Sequence, residues 1–150
     1  MSNRRSLVSH ACRSAQTLLA LTLSLPVACA ATATIPLPGL PMNARLALCG
    51  DSITEQMRYT AYVEAYLLAC AGRTDVSVFQ FGWGGENADQ FRNRITRGDL
   101  DAFKPTAISI AYGANDCGGQ AWQNWMEPMW RGRLTSVLAT LAERYPATTA

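Results

Sequence analysis

Residues 45–54 read Arg45-Leu46-Ala47-Leu48-Cys49-Gly50-Asp51-Ser52-Ile53-Thr54, and this stretch decides the fold. Arg45 to Cys49 is a short apolar run closed by Gly50, the pattern of a buried strand. A serine follows directly, ahead of a helical pattern. A hydroxyl at that junction is held at the edge of a sheet, where amide groups at a helix start can face developing negative charge. Gly50 suits the tight backbone of such a turn. The plainer alternative is that Ser52 or Thr54 is only a helix N-cap.

Downstream the chain alternates. From Met57 to Ala71 the residues Tyr59, Val63, Tyr66, Leu67 and Cys70 recur at helical spacing and predict one buried face, ended by Gly72. Asp75 to Phe81 reads as a second strand and Asn87 to Thr96 as a short helix bearing Phe91 and Ile95. Thr106 to Tyr112 reads as a third strand after Lys104-Pro105. A last helix starts near Pro128, carries Trp130, Leu134, Val137, Leu138 and Leu141 on one face, and ends at Pro146. Strand–helix alternation of this kind predicts an α/β fold with parallel strands and right-handed crossovers. Sites in such sheets form in the loops after the carboxyl ends of the strands.

All three of those loops are distinctive. Gly50-Asp51-Ser52-Ile53-Thr54 follows the first strand. Gly82-Trp83-Gly84-Gly85-Glu86-Asn87 follows the second, and its glycines let backbone amides approach a ligand. A dinucleotide-binding G-x-G-x-x-G would need glycine at position 87, which is Asn87. Gly113-Ala114-Asn115-Asp116 follows the third strand, where an Asn amide can donate to an oxyanion or merely close an Asx-turn.

Together these loops resemble the blocks of the SGNH or GDSL hydrolase family (GDSL-like lipases and acylhydrolases). Gly50-Asp51-Ser52 matches the first block, with Ile53 where Leu is usual; Gly85 matches the glycine of the second; Gly113-Ala114-Asn115-Asp116 matches Gly-x-Asn-Asp of the third. Gln80 departs from the Asn usual in the second block. The resemblance implies a flavodoxin-like three-layer α/β/α fold with a five-stranded parallel sheet in the order 2-1-3-4-5, truncated here after about three strands. It implies a serine ester hydrolase: Ser52 as nucleophile, the Ser52 and Gly85 amides with the Asn115 side chain as oxyanion hole, and Asp51 and Asp116 as supporting residues that brace the loops. The family's Asp-x-x-His block, which supplies the base, has no counterpart, because the one histidine is His10. The catalytic His and Asp are therefore expected downstream of residue 150. Glu55, Glu86 and Glu127 are poor substitutes. The alternative reading is a non-catalytic relic that binds a carbohydrate ligand.

The N-terminal residues read differently from the rest. Arg4 and Arg5, the apolar run Thr17 to Val27 and Ala28-Cys29-Ala30 together predict an export signal over 1–30, hence a secreted or periplasmic protein. Residues 31–43, with Pro36, Pro38 and Pro41, read as a Pro-rich linker, and 44–150 as the hydrolase domain. Thirteen basic and 11 acidic residues give net +2; without Arg4, Arg5 and Arg13, 10 basic face 11 acidic, near −1, which excludes a polyanion-binding surface. No nucleic-acid partner, stable membrane anchor, metal or cofactor is expected. Cys49 and Cys70 read as small buried apolar residues, and Cys117 falls in a loop. Trp122 and Trp125 are candidates for stacking on a sugar ring at the cleft rim, or for plain packing. The expected partner is thus a small-molecule or carbohydrate ester substrate.

Overall fold

The computed structural model describes Leu37 and residues 39–148. The segment read as an export signal, and the linker residues Pro36 and Pro38, lie outside the described residues. Three strands alternate with helices: β1 (Arg45–Gly50), α1 (Ser52–Glu55), α2 (Arg58–Ala69), β2 (Ser77–Gly82), α3 (Ala88–Arg97), β3 (Ala107–Ala111) and α4 (Met126–Arg144). The strands are parallel in the order β2-β1-β3. That is the α/β architecture with a parallel sheet expected from the alternation. None of the described helices is long and apolar enough to cross a membrane.

β1 is central, which is why its apolar run is nearly uninterrupted: a strand covered on both faces needs no polar alternation. Partners in register share a face, so Ala47 and Cys49 align with Phe79 and Phe81 on one side and with Ile108 and Ile110 on the other. This face meets α3 and α4 in the core of Ala47, Cys49, Ala88, Phe91, Ile95, Leu100, Ile108, Val137 and Leu141. Full burial of a side chain such as Phe91 is worth about 1.5–3 kcal/mol. α3 is well delimited. Asn87 and Gln90 form a reciprocal capping box at its start, and Gly98 ends it at φ 90°.

The opposite face is more thinly covered. α2 buries only Thr60 and Leu67. Tyr59 and Val63 are half-buried, and Tyr66 and Cys70 are exposed. The expectation that Cys70 is buried is therefore corrected. Helical spacing aligns Cys70 with Leu67 and Val63, but a face is buried only where another element lies across it. Cys49, by contrast, is fully buried, and burial pushes its thiol up to about 12. On α4, Trp130, Leu134, Val137 and Leu141 are buried or half-buried while Leu138 sits at the exposed rim.

At the amino end of the sheet, buried Arg73 ties the segment before β1 to the loop before β2. Its Nε and one Nη donate to both Asp75 oxygens at 2.8 and 2.9 Å, and its remaining donors reach the carbonyls of Leu40 (3.2 Å) and Pro41 (2.5 Å). The Asn43 amide also donates to Asp75, at 2.6 Å. The last residues of the segment read as linker are thus fastened to the domain.

Candidate active site

The strand order puts the Ser52 loop in the middle, with the Gly85 loop after β2 on one side and the Asn115 loop after β3 on the other. Gly50 and Gly82 make this close assembly possible. A Cβ on Gly50 would lie 2.0 Å from Thr54 Oγ1 and 2.9 Å from the Ala111 carbonyl oxygen. One on Gly82 would lie 2.2 Å from the Glu55 amide nitrogen. Gly50 is therefore required for close approach rather than for an unusual φ, and Gly82 does the same work on the neighbouring strand.

Ser52 opens α1, a single turn ahead of the helix expected from Met57 to Ala71, which is α2. Met57, at φ 58°, separates α1 from α2. The N-cap is Asp51, not Ser52 or Thr54: its carboxylate accepts from the Ile53 amide at 2.9 Å. Thr54 is buried and its hydroxyl pairs with Tyr59 at 2.7 Å. This arrangement occupies the second amide of the turn and leaves the first, that of Ser52, with no intramolecular acceptor among the described residues. The half-buried Ser52 hydroxyl likewise has no hydrogen-bond partner among the described residues, which include no histidine.

Gly85 is the third residue of a turn closed by the Glu86 amide on the Trp83 carbonyl at 3.1 Å. Its φ of 75° is what the third position of a type II turn requires, and a Cβ there would meet nothing within 4 Å. Glycine is demanded here by the backbone, not by space. The Gly85 amide also has no intramolecular acceptor among the described residues.

Asn115 is half-buried, and its Nδ2 donates to the Glu86 carbonyl at 2.9 Å. One amide hydrogen is thereby used to orient the group, and the second remains available. Asp116 is buried. Its carboxylate accepts from the Ala88 amide at 3.1 and 3.2 Å and from Arg133 at 3.2 Å, joining this loop to α3 and α4.

Glu86 is the residue whose importance the sequence concealed. Buried beside Gly85, it accepts from the Tyr112 hydroxyl at 2.6 Å and lies 2.9 Å from Arg94 Nε. That Nε–H does not aim at the carboxylate and has no aligned acceptor, so the contact is ionic rather than a directed hydrogen bond. Another Arg94 nitrogen donates to the Phe81 carbonyl at 2.8 Å, and the guanidinium lies 5.5 Å from the Trp83 ring centre. Burial raises the Glu86 carboxyl above its usual range, against the pull of Tyr112 and Arg94. Burial, then Glu86, pushes the Tyr112 hydroxyl up as well. The only local hint was a lone Glu between a glycine-rich loop and a helix cap.

Trp122 and Trp125 are exposed in the segment between β3 and α4 and take part in no aromatic pair among the described residues. A cleft of about 350 Å³ adjoins the Gly85 turn, lined in part by Trp83, Gln90, Asn93, Arg97 and Asp99.

A family model described as GDSL-like Lipase/Acylhydrolase matches residues 48–150. Among solved structures, the chain is similar to a protein described as a GDSL-like lipase from Parabacteroides merdae: 23% identity, TM-score 0.59, covering 75% of this chain and 60% of that one. A catalytic mutant of Axe2, an acetylxylan esterase from Geobacillus stearothermophilus, matches with 22% identity and TM-score 0.55, covering 75% and 59%. LAE5, an alpha/beta hydrolase enzyme from the metagenome of Lake Arreo, matches with 20% identity and TM-score 0.56, covering 75% and 60%. At this identity the likeness is one of fold. The chain spans about 60% of the length of these structures. No curated protein sequence matches it.

Proposed function

Because the chain belongs to the GDSL-like lipase/acylhydrolase family, we propose that it carries the nucleophile and the oxyanion-binding part of a serine ester hydrolase. The observation behind this reading is the set of free donors: the Ser52 and Gly85 amides and one hydrogen of Asn115, on three adjacent loops around the Ser52 hydroxyl. Ser52 Oγ attacks the ester carbonyl and its proton passes to a base. The carbonyl oxygen becomes an oxyanion that the three donors receive. Collapse of this intermediate breaks the bond to the alcohol, which leaves with the proton, and water then releases the acyl group by the same steps. Each preorganised donor is worth about 3–4 kcal/mol of barrier.

The base in this reading is a histidine oriented by a carboxylate, from sequence beyond residue 150, as the family resemblance implies. An alcohol hydroxyl is a weak nucleophile without one. The proposed substrate is a carbohydrate ester such as an acetylated glycan, as for the acetylxylan esterase of similar fold. Asp51 and Asp116 act by bracing, through the amides of Ile53 and Ala88. Export is part of the proposal, on the strength of Arg4, Arg5 and the apolar run before Ala30. Mass spectrometry of the exported protein should find a new N-terminus after Ala30 or Ala33; an intact Met1 would overturn this.

The test of activity is a fluorophosphonate probe together with p-nitrophenyl acetate. Labelling and hydrolysis that Ser52→Ala abolishes are expected of the protein that carries the downstream histidine and carboxylate, with neither above background for residues 1–150 alone. A second reading, a non-catalytic carbohydrate-binding relic, draws on the unpartnered Ser52 hydroxyl. It predicts glycan binding with no labelling.

A further inference from the structure

We propose that Trp83 and the polar stripe of α3 beside it form a binding subsite for a neutral pyranose ring, which holds the alcohol part of the ester next to the Gly85 amide. The inference rests on the hydrolase reading and names where its sugar would sit.

Trp83 is 61% exposed, yet it is not a loose side chain at a loop tip. The Arg94 guanidinium lies 5.5 Å from its ring centre, and that guanidinium is itself buried and held by Glu86 and the Phe81 carbonyl. A cation against the ring supports it from the protein side and leaves apolar aromatic surface to solvent. Trp83 is also the first residue of the turn that presents Gly85. A ligand on the indole is therefore two residues from the oxyanion donor.

The rest of the cleft is hydrogen-bonding surface. Gln90, Asn93 and Arg97 recur at three and four positions along α3, on the side away from the buried Phe91 and Ile95. Asn93 and Arg97 are exposed, and their side chains make no hydrogen bond among the described residues. Gln90 uses its oxygen on the Asn87 amide, at 2.9 Å, which leaves its NH₂ group free. Asp99 adds acceptors at the far side. Donors and acceptors around one aromatic platform match a ring bearing hydroxyls above and below an apolar face. No aliphatic side chain lines the cleft, so an acyl chain has nothing to bury against. Two arginines, Arg94 and Arg97, and two carboxylates, Glu86 and Asp99, line the cleft, so its formal charges balance and it does not select an anion. The volume of about 350 Å³ is at the lower end for small-ligand pockets, which suits one or two sugar units.

The experiment uses acetylated xylo-oligosaccharide and p-nitrophenyl acetate as parallel substrates, and calorimetric binding of unacetylated xylo-oligosaccharide to the Ser52→Ala protein. Trp83→Ala should raise KM for the glycan ester and weaken glycan binding at least about tenfold; Trp83→Phe should retain most of the binding. Since Trp83→Ala can disturb the Gly85 turn, Asn93→Ala/Arg97→Ala, on exposed helix positions, is the second arm and should raise glycan KM severalfold. Unchanged glycan KM and binding in both arms overturns the subsite, as does a wild-type protein that hydrolyses p-nitrophenyl acetate and neither binds nor deacetylates the glycan. Failure of the protein that carries the downstream histidine to hydrolyse either ester, with glycan binding that still depends on Trp83, keeps the subsite and rejects the hydrolase reading.

Discussion

At the amino ends of β1 and β2, Arg73 spends its guanidinium donors on Asp75, Leu40 and Pro41, and Asp75 accepts a further bond from the Asn43 amide. At the carboxyl ends of the same strands, the Ser52 and Gly85 amides and one Asn115 hydrogen have no protein acceptor among the described residues. Both ends hold a buried arginine paired with a carboxylate, but the pairs differ. Arg73 grips Asp75 bidentately, whereas Arg94 meets Glu86 off-axis, with its Nε–H unaligned. The amino end closes its polar groups on one another and secures the fold. The carboxyl end uses its ion pair to hold a turn whose own donors are left open. Unpartnered donors cost stability unless something occupies them, so their clustering at one end marks where a ligand's charge is received.

Five sets of variants test this contrast, beginning with the largest effect. Ser52→Ala should lower ester turnover on the order of a millionfold without lowering Tm, since its hydroxyl has no partner among the described residues; single-turnover kinetics and calorimetry together check it. Asn115→Ala should lower kcat by roughly a hundred- to a thousandfold with KM little changed. A KM effect without a kcat effect would make Asn115 a substrate-binding residue instead.

At the opposite end, Asp75→Asn should do the reverse: Tm falls because the buried Arg73 charge loses its partner, while kcat below Tm is unchanged. A kcat loss measured well below Tm would break the division between the two ends. The glycines sharpen it further. Gly82→Ala forces a Cβ against the Glu55 backbone and should cost about 1–3 kcal/mol or more, because backbone cannot swing aside. Gly85→Ala meets no atom and should cost only the positive-φ penalty, about 1–2 kcal/mol, while its activity falls through the displaced amide. Denaturant melts compare the pair.

The smallest effect is in the pH dependence, where the two ends have opposite sign. Arg73 holds the Asp75 carboxyl well below the usual carboxylate range, followed in effect by the Asn43 amide. Its contribution is present above the ordinary aspartate value and is lost as pH falls below it. Glu86 is raised by burial. Between the ordinary glutamate value and its own, the native state holds more protons than the unfolded state, so stability declines as pH rises through that window. Asp75→Asn should flatten the acid limb of a Tm–pH curve, and Glu86→Gln the decline above it. Loss of both limbs in one variant would show that the ends are coupled.

The sequence by itself determined the element order, the three polar loops and the family they belong to. Those signals are local: a strand needs a short apolar run, a helix its spacing, and a turn its glycines, whatever lies across from them. Even so, one expectation failed within a well-placed element: Cys70 is exposed despite its spacing from Leu67. Only the tertiary structure decided which glycines answer to contact rather than conformation, as at Gly50 and Gly82. It alone also brought Glu86 to Tyr112 and Arg94, residues 26 and 8 positions away, and made Asn115 a bonded neighbour of the Gly85 turn. Burial and pairing of this kind depend on elements meeting across the fold, and nothing in a residue's immediate neighbours encodes what will be opposite it.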